Sequence, residues 1–180
     1  MVIPEIPDFP QAPVLRPEQL PARLRHPTAV VLTDKDAYPL LLHLAEEAGP
    51  HLLVPECWQK LLPQAGTLIS SAISGGSFRQ RLKEACSAAP QRCWLLVEPI
   101  SMRFLLPCPT GIGQEVQPPH GTGVYSDALC CYYTHQSKEP TGSVTLYDTE
   151  ETIRTKLQLA KEAGFLGYVL ACKIDNPRTP

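Results

Sequence analysis

VTLYDTEETIRTKLQLAKEAGFLGYVLACKID, running from Val144 to Asp175, carries the boundary signals of a strand, a helix, a stop and a second strand. Thr149 suits the N-cap, because its hydroxyl accepts a hydrogen bond from an orphan amide, and Glu150 and Glu151 put negative charge in the first turn. Ile153, Leu157 and Ala160 form an apolar stripe, with Arg154, Lys156 and Lys161 assigned to the other faces. Gly164 follows as a residue able to adopt positive φ and end the helix. The next segment, 166–171, is apolar at nearly every position, as a strand covered on both faces requires. The stretch therefore predicts one complete α/β unit.

Working outward, the same alternation recurs upstream. Strands are expected over 29–33, 51–54, 67–73 and 93–97, with helices over 36–48, 56–62 and 78–88. Gly49-Pro50 stops the first helix, Ser74-Gly75-Gly76-Ser77 precedes the third and Pro90 follows it. Strand and helix in alternation imply parallel strands joined by right-handed crossovers. The fold class expected is α/β, a mostly parallel, truncated or partial TIM-barrel-like sheet. The rhythm breaks at 101–117, read as a β excursion with a turn-rich loop, and a helix is expected over 125–133. Residues 1–27, with seven prolines, read as an extended arm or linker without regular hydrogen-bonded structure, ahead of a single domain over 28–180.

The composition narrows the function classes. A chain of 180 residues, 43% hydrophobic, suffices for one buried core. A formal charge of −2 and scattered lysines and arginines offer no footprint for nucleic acid. No apolar run reaches the roughly 20 residues of a spanning helix and no signal peptide opens the chain, so no membrane partner and a cytoplasmic location are expected. The seven cysteines include no C-x-x-C pair, which argues against a metal site; no cofactor is expected either. The thiols read as reduced and mostly buried, with one of the adjacent Cys130 and Cys131 exposed.

The succession TLISSAISGG, a helix, WLLVEPISM, an insertion, then LYDTEETIRTKLQLAKEAGFLGYVL resembles the last three strands of the family 18 glycoside hydrolase barrel, its chitinase-like and spore-cortex-associated members above all. Val97-Glu98-Pro99-Ile100 stands at the end of that family's seventh strand. Tyr147-Asp148-Thr149 stands at its turn into the last helix, Thr152 to Lys156 at its Ser-Ile-x-x-Lys element, and Gly164 with Gly167 at its closing glycines. The resemblance spans about residues 67–175 and implies a hydrolase-like barrel. It also implies where chemistry is missing. The family's catalytic D-x-x-D-x-D-x-E finds its only counterpart in VVLTDKDAY, where Asp34 and Asp36 match, Val31 replaces the first aspartate and Tyr38 stands in place of the acid. Without that acid the leaving oxygen has no proton donor. The Met-x-Tyr-Asp of the sixth strand is replaced by the 70–74 region, the tryptophan of the last strand by Ala171 or Cys172, and the N-terminal strands of a full barrel have no counterpart.

Parallel α/β folds bind ligands at the C-terminal ends of their strands. Those ends hold Asp34, Asp36 and Glu98 as candidate catalytic carboxylates. Glu56, Ser74, Gly75, Gly76, Ser77, Lys173 and Asp175 are candidate ligand-binding residues. Each has a plainer alternative. Asp34 or Asp36 can cap a helix, a D-x-D after a strand also matches a phosphatase nucleophile, and the glycines can simply make a turn. Glu98 must reach the rim or pair with Arg79, Arg81 or Arg103. His51, His120 and His135 read as surface residues, and Trp58 and Trp94 as packing. The function expected is a non-catalytic scaffold, a degenerate family 18-like protein that binds a protein partner or a saccharide-like ligand. The alternatives are a small hydrolase using rim carboxylates, on a glycosidic bond or a phosphate ester, and one piece of a larger assembly. An unpaired sheet edge in a shortened barrel must be covered by the arm, by the excursion or by a second copy, so self-association is expected.

Overall fold

The computed structural model describes residues 3, 5–16, 19–21, 23–30, 38–108, 110–119, 121, 123–138 and 141–171. The larger of its two sheets is parallel at every pairing. Its order is β1 (Gln11–Ala12), β12 (Tyr168–Leu170), β6 (Cys93–Val97), β5 (Gly66–Ser70), β4 (Leu52–Pro55), β3 (Thr28–Val30) and β2 (Val14–Leu15). Only Pro13 separates β1 from β2, so one short stretch bonds to β12 on one side and to β3 on the other. The sheet nearly closes on itself as a partial α/β barrel. The arm, expected to lack regular hydrogen bonding, thus supplies the strand that joins the two sheet edges. Its prolines permit this because they are asked only for carbonyls: Tyr168 N donates to Pro10 O (3.0 Å) and Ala29 N to Pro13 O (2.9 Å).

Side chains alternate across each strand. Ala12, Val14, Ala29, Leu53, Leu68, Trp94, Leu96 and Val169 pack into one cluster inside the barrel. Two glycines make room for it. A Cβ at Gly66 would meet Leu53 Cδ2 at 2.6 Å, and one at Gly167 would overlap the Trp94 ring. The opposite faces of the strands pack on the helices. Val30, Leu52 and Val54 meet Leu41, Leu44 and Ala45 of α1 (Tyr38–Ala48). Ile69, Leu95 and Val97 meet Phe78 and Leu82 of α2 (Phe78–Ala88) and Ile153 and Leu157 of α3 (Glu150–Glu162). Thr149 caps α3 in a reciprocal box with Thr152, and Gly164 follows it at φ +93°. No helix of the described residues is long and apolar enough to cross a membrane.

Between β6 and α3 the chain builds a second sheet, antiparallel, in the order β8 (Gln114–Glu115), β7 (Ser101–Leu106), β11 (Thr141–Tyr147), β10 (Cys131–Lys138), β9 (Val124–Ser126). Two expectations change here. The strand that opens the quoted stretch is β11 and lies in this sheet, so the parallel partner leading into α3 is β6. The alternation of Val144 and Leu146 with Thr145 and Tyr147 is the pattern of such a two-faced strand. The helix expected over 125–133 is a hairpin, in which Tyr125 pairs with Tyr132 and Ser126 with Cys131. Its turn places Cys130 at φ +52°, a position where glycine or asparagine usually marks the bend. The short helix expected over 56–62 is a single 3-10 turn at Glu56–Trp58.

The insert is fastened at two points. Phe78 N, at the start of α2, donates to Ala128 O in the hairpin turn (2.8 Å). The positive φ at Cys130 turns its side chain into the core with Phe78 and Leu157, whereas Cys131 faces the insert's own core with Ile100 and Leu146. Both thiols are buried, so neither is the exposed member expected of the pair. At the root of the insert Asp148 is wholly enclosed. Its Oδ2 accepts from Lys156 Nζ (2.8 Å) and from Ile100 N (2.9 Å), and its Oδ1 accepts from Thr152 Oγ1 (2.8 Å). Lys156, assigned to a polar face by its charge, is 1% exposed and lies over the Phe78 ring, 5.8 Å from its centroid.

Candidate functional site

The C-terminal ends of the parallel strands form the mouth of the barrel. Gly66, Leu68 and Ser70 share one face of β5, and Trp94, Leu96 and Glu98 one face along β6. Leu68, Trp94 and Leu96 lie in the interior cluster, so Ser70 and Glu98 form the next layer up, at the mouth. Ser70 Oγ donates to Glu98 Oε2 at 2.5 Å and accepts from Ala72 N at 3.0 Å. Beside it the buried Ser71 accepts from Glu98 N at 2.9 Å and donates to Glu98 O at 3.4 Å. One serine thus fixes the half-buried carboxylate and the other its backbone. Of the arginines expected to meet Glu98, Arg81 bonds to Glu56 instead (2.9 Å).

The glycine turn before α2 serves the helix. Ser77 caps it by accepting from Gln80 N (3.4 Å), and Gly76 takes φ +76°. With Phe78 N held by Ala128 O, two of the amides that would greet an anion are bonded within the chain. Glu56, Ser74, Gly75 and Gly76 are exposed at the rim. Asp34, Asp36, Lys173 and Asp175 lie outside the described residues, as do Cys172 and His120. Tyr38 opens α1. Among the described residues no three histidines, cysteines or acids are placed to hold a metal ion.

Beside the mouth runs a groove that residue spacing alone does not disclose. The inner face of the insert, with Phe104, Leu106, Leu129, Tyr133, Val144 and Leu146, bounds a cavity of about 470 Å³ whose far side reaches Ser74. A second cavity of about 350 Å³, also lined by Ser74, Phe104 and Gly111, continues it toward Ile73, Pro99 and Glu115. The rim loop 72–74 and the insert therefore bound one largely apolar groove that reaches Pro99, the chain neighbour of Glu98. The legible sign of it is the alternation of Met102, Phe104 and Leu106 with exposed Arg103 and Leu105 along β7, which gives one strand an apolar face beyond the barrel core.

No family model matches the chain, and no curated protein matches it. Among the solved structures that share its fold are two bacterial enzymes. The spore cortex-lytic enzyme SleL of Bacillus megaterium QM B1551 aligns with a TM-score of 0.51 and 13% identity, over 79% of this chain and 44% of that one. SleL of Bacillus cereus aligns with a TM-score of 0.51 and 12% identity, over 80% of this chain and 44% of its own. The chain spans less than half the length of the structures it matches, and what it shares with these spore cortex-lytic enzymes is the barrel-like fold.

Proposed function

We propose that this chain is a non-catalytic scaffold of glycoside hydrolase-like fold that binds a protein partner along the groove between barrel rim and insert. The observation that carries this is the groove itself, apolar along its insert wall. Three of the described acids support it. Glu98 is held by Ser70, Glu56 by Arg81, and Asp148 is enclosed with Lys156. A glycosidase needs two carboxyls facing each other across a cleft, roughly 5–9.5 Å apart, and among the described residues Glu98 is the carboxylate of the interior face at the mouth. An apolar trough suits an extended peptide with alternating apolar anchors better than a sugar ring.

The test pairs two sites. Leu129→Arg blocks the groove and Glu98→Gln neutralises the mouth, and both are compared with the parent chain on a displayed peptide library and on chromogenic glycosides. The expected outcome is peptide retention that is lost in Leu129→Arg and kept in Glu98→Gln, with no glycoside hydrolysis by any of the three. Hydrolysis by the parent that vanishes in Glu98→Gln would establish the hydrolase alternative, and binding of soluble oligosaccharide insensitive to Leu129→Arg would favour a saccharide-like ligand at the mouth.

A further inference from the structure

The arm fills a seam between β12 and β3. Gln11 and Ala12 pair with Tyr168 and Val169 on one side of it, and Val14 and Leu15 with Ala29 and Val30 on the other. Phe9, 4% exposed, stacks on the Tyr168 ring with centroids 5.7 Å apart, and Lys161 Nζ of α3 donates to Pro7 O at 2.5 Å. A Cβ at Gly167 would collide with Pro10 O, so the bare glycine lets the arm approach. The chain leaves the seam by a turn at the surface. Arg16 N donates to Gln19 Oε1 (2.9 Å), Gln19 N donates to Arg16 O (2.9 Å), and both residues are exposed. Leu20 and Leu24 then pack in the core with α1 and anchor the connection to the body of the domain.

We infer that this seam is a strand-acceptor site whose occupant in trans is the arm of a second copy, giving a dimer by reciprocal exchange of residues 5–15. Every group that receives the arm lies beyond residue 27, and an exchanged arm meets the same groups on the partner. The difference between the two states therefore rests on the turn at Arg16 and Gln19 and on the entropy of association. The turn contributes two hydrogen bonds between exposed residues, which is little. A short flexible tether would hold the arm at its own seam at an effective concentration in the millimolar range. The connection over 16–27 instead carries Pro17, Pro21 and Pro27, and a stiffened segment that must reverse direction holds the arm less well. Self-association, expected from an unpaired edge, then proceeds by exchange of the strand that covers it. The turn follows β2 at the C-terminal end of the parallel strands, the end that carries Glu98, so the two chains cross at the mouths of both copies.

The test uses the full chain, unlabelled and isotope-labelled. The two are mixed in urea and refolded by dilution at about 1 mM, which matches the effective concentration of a tethered arm, and at roughly 10 µM, which does not. The expected products are a dimer at the higher concentration, including mixed-label pairs, and monomer at the lower one. Labelled and unlabelled dimers combined after refolding should stay unmixed until mild urea opens the seams. Trypsin then locates the exchange. Arg23 and Arg25 are exposed in the connection, and a nick there should divide the mixed dimer into units in which a labelled body carries an unlabelled arm, read by native mass spectrometry. Gln19→Pro removes both hydrogen bonds of the turn and should raise the dimer fraction about threefold, the scale of weak exposed bonds. Monomer alone from the parent at the higher concentration overturns the inference. So does a dimer whose labels mix on contact without urea, or nicked units in which each body keeps the arm of its own label. These results are read on the parent, so a Gln19→Pro chain that fails to fold leaves them intact.

Discussion

Lys156→Met is the sharpest perturbation of the fold. The lysine ammonium and the Asp148 carboxylate are 2.8 Å apart, with side-chain exposures of 2% and 0%. Two further donors, Ile100 N and Thr152 Oγ1, complete the shell of the carboxylate. Methionine matches the volume of the lysine stem and leaves the packing beside Phe78 intact, so the change isolates the charge. What remains is an enclosed carboxylate with hydrogen bonds and no counter-ion, a state that costs about 3–5 kcal/mol. Domains of ordinary stability hold about 5–15 kcal/mol in all, so the loss is a large fraction. With a urea slope near 2 kcal/mol per molar, the unfolding midpoint falls by roughly 1.5–2.5 M. Adding Asp148→Asn to Lys156→Met removes the stranded charge and keeps an acceptor for Ile100 N, so the double variant should be more stable than Lys156→Met alone. The assay is urea unfolding followed by circular dichroism on the parent, both single variants and the double. A Lys156→Met midpoint within about 0.3 M of the parent, or a double variant no better than that single, refutes the assignment of this pair as an interlocked buried unit.

Two more expectations follow from packing and from ionisation. Gly167→Ala drives a methyl into the Trp94 ring and Pro10 O, whereas Gly75→Ala meets nothing within 4 Å. The first should lower stability by about 1–3 kcal/mol or more and the second by less than about 0.5 kcal/mol, read by the same urea titration. Burial pushes the Cys93 thiol from 9.0 to about 12 and the Cys131 thiol from 9.0 to about 11. The unfolded chain ionises these thiols first and so binds fewer protons above pH 9. Stability is therefore full below about pH 9 and declines from there toward the folded values. Urea midpoints taken at intervals from pH 7 to 11 should fall less steeply in Cys93→Ala, and parallel curves for the two proteins would remove the thiol from the account.

The parts of the fold that were legible are those with local chemistry. The Thr149 cap, the Ile153–Leu157–Ala160 stripe and the Gly164 stop are set by neighbours within one or two helical turns, and the helix 78–88 and strand 93–97 keep the bounds their patterns predict. What was not legible depends on contacts distant in sequence. Lys156 reads as a surface lysine until Asp148 stands beside it, because charge alone says nothing about a partner on another element. Gln11 to Leu15 read as an arm because proline density masks four residues whose neighbours, β12 and β3, lie far along the chain. The hairpin at 127–130 was hidden by a cysteine where a turn residue is usual. At the site, Glu98 was legible as a rim acid, but its serine holders were not, since only the register of β5 beside β6 brings Ser70 to it.

The two sheets divide the work of making a groove. The barrel-like sheet, its edges joined by a strand from its own arm, fills its interior with Trp94, Leu53 and Leu68. The groove proposed for a partner lies where the insert leans over the rim. Its attitude is set at one end by Asp148, which ties Ile100 at the start of β7 to Lys156 on α3, and at the other by Ala128 on the first amide of α2. Both of these hydrogen-bonded ties run to the outer helices. The groove between Phe104 and Ser74 can therefore change its lining residues without disturbing the barrel, while a loosened Asp148 should alter the groove before it unfolds the sheet. Partner binding in Lys156→Met ought then to weaken at urea concentrations where its circular dichroism is still that of the folded chain.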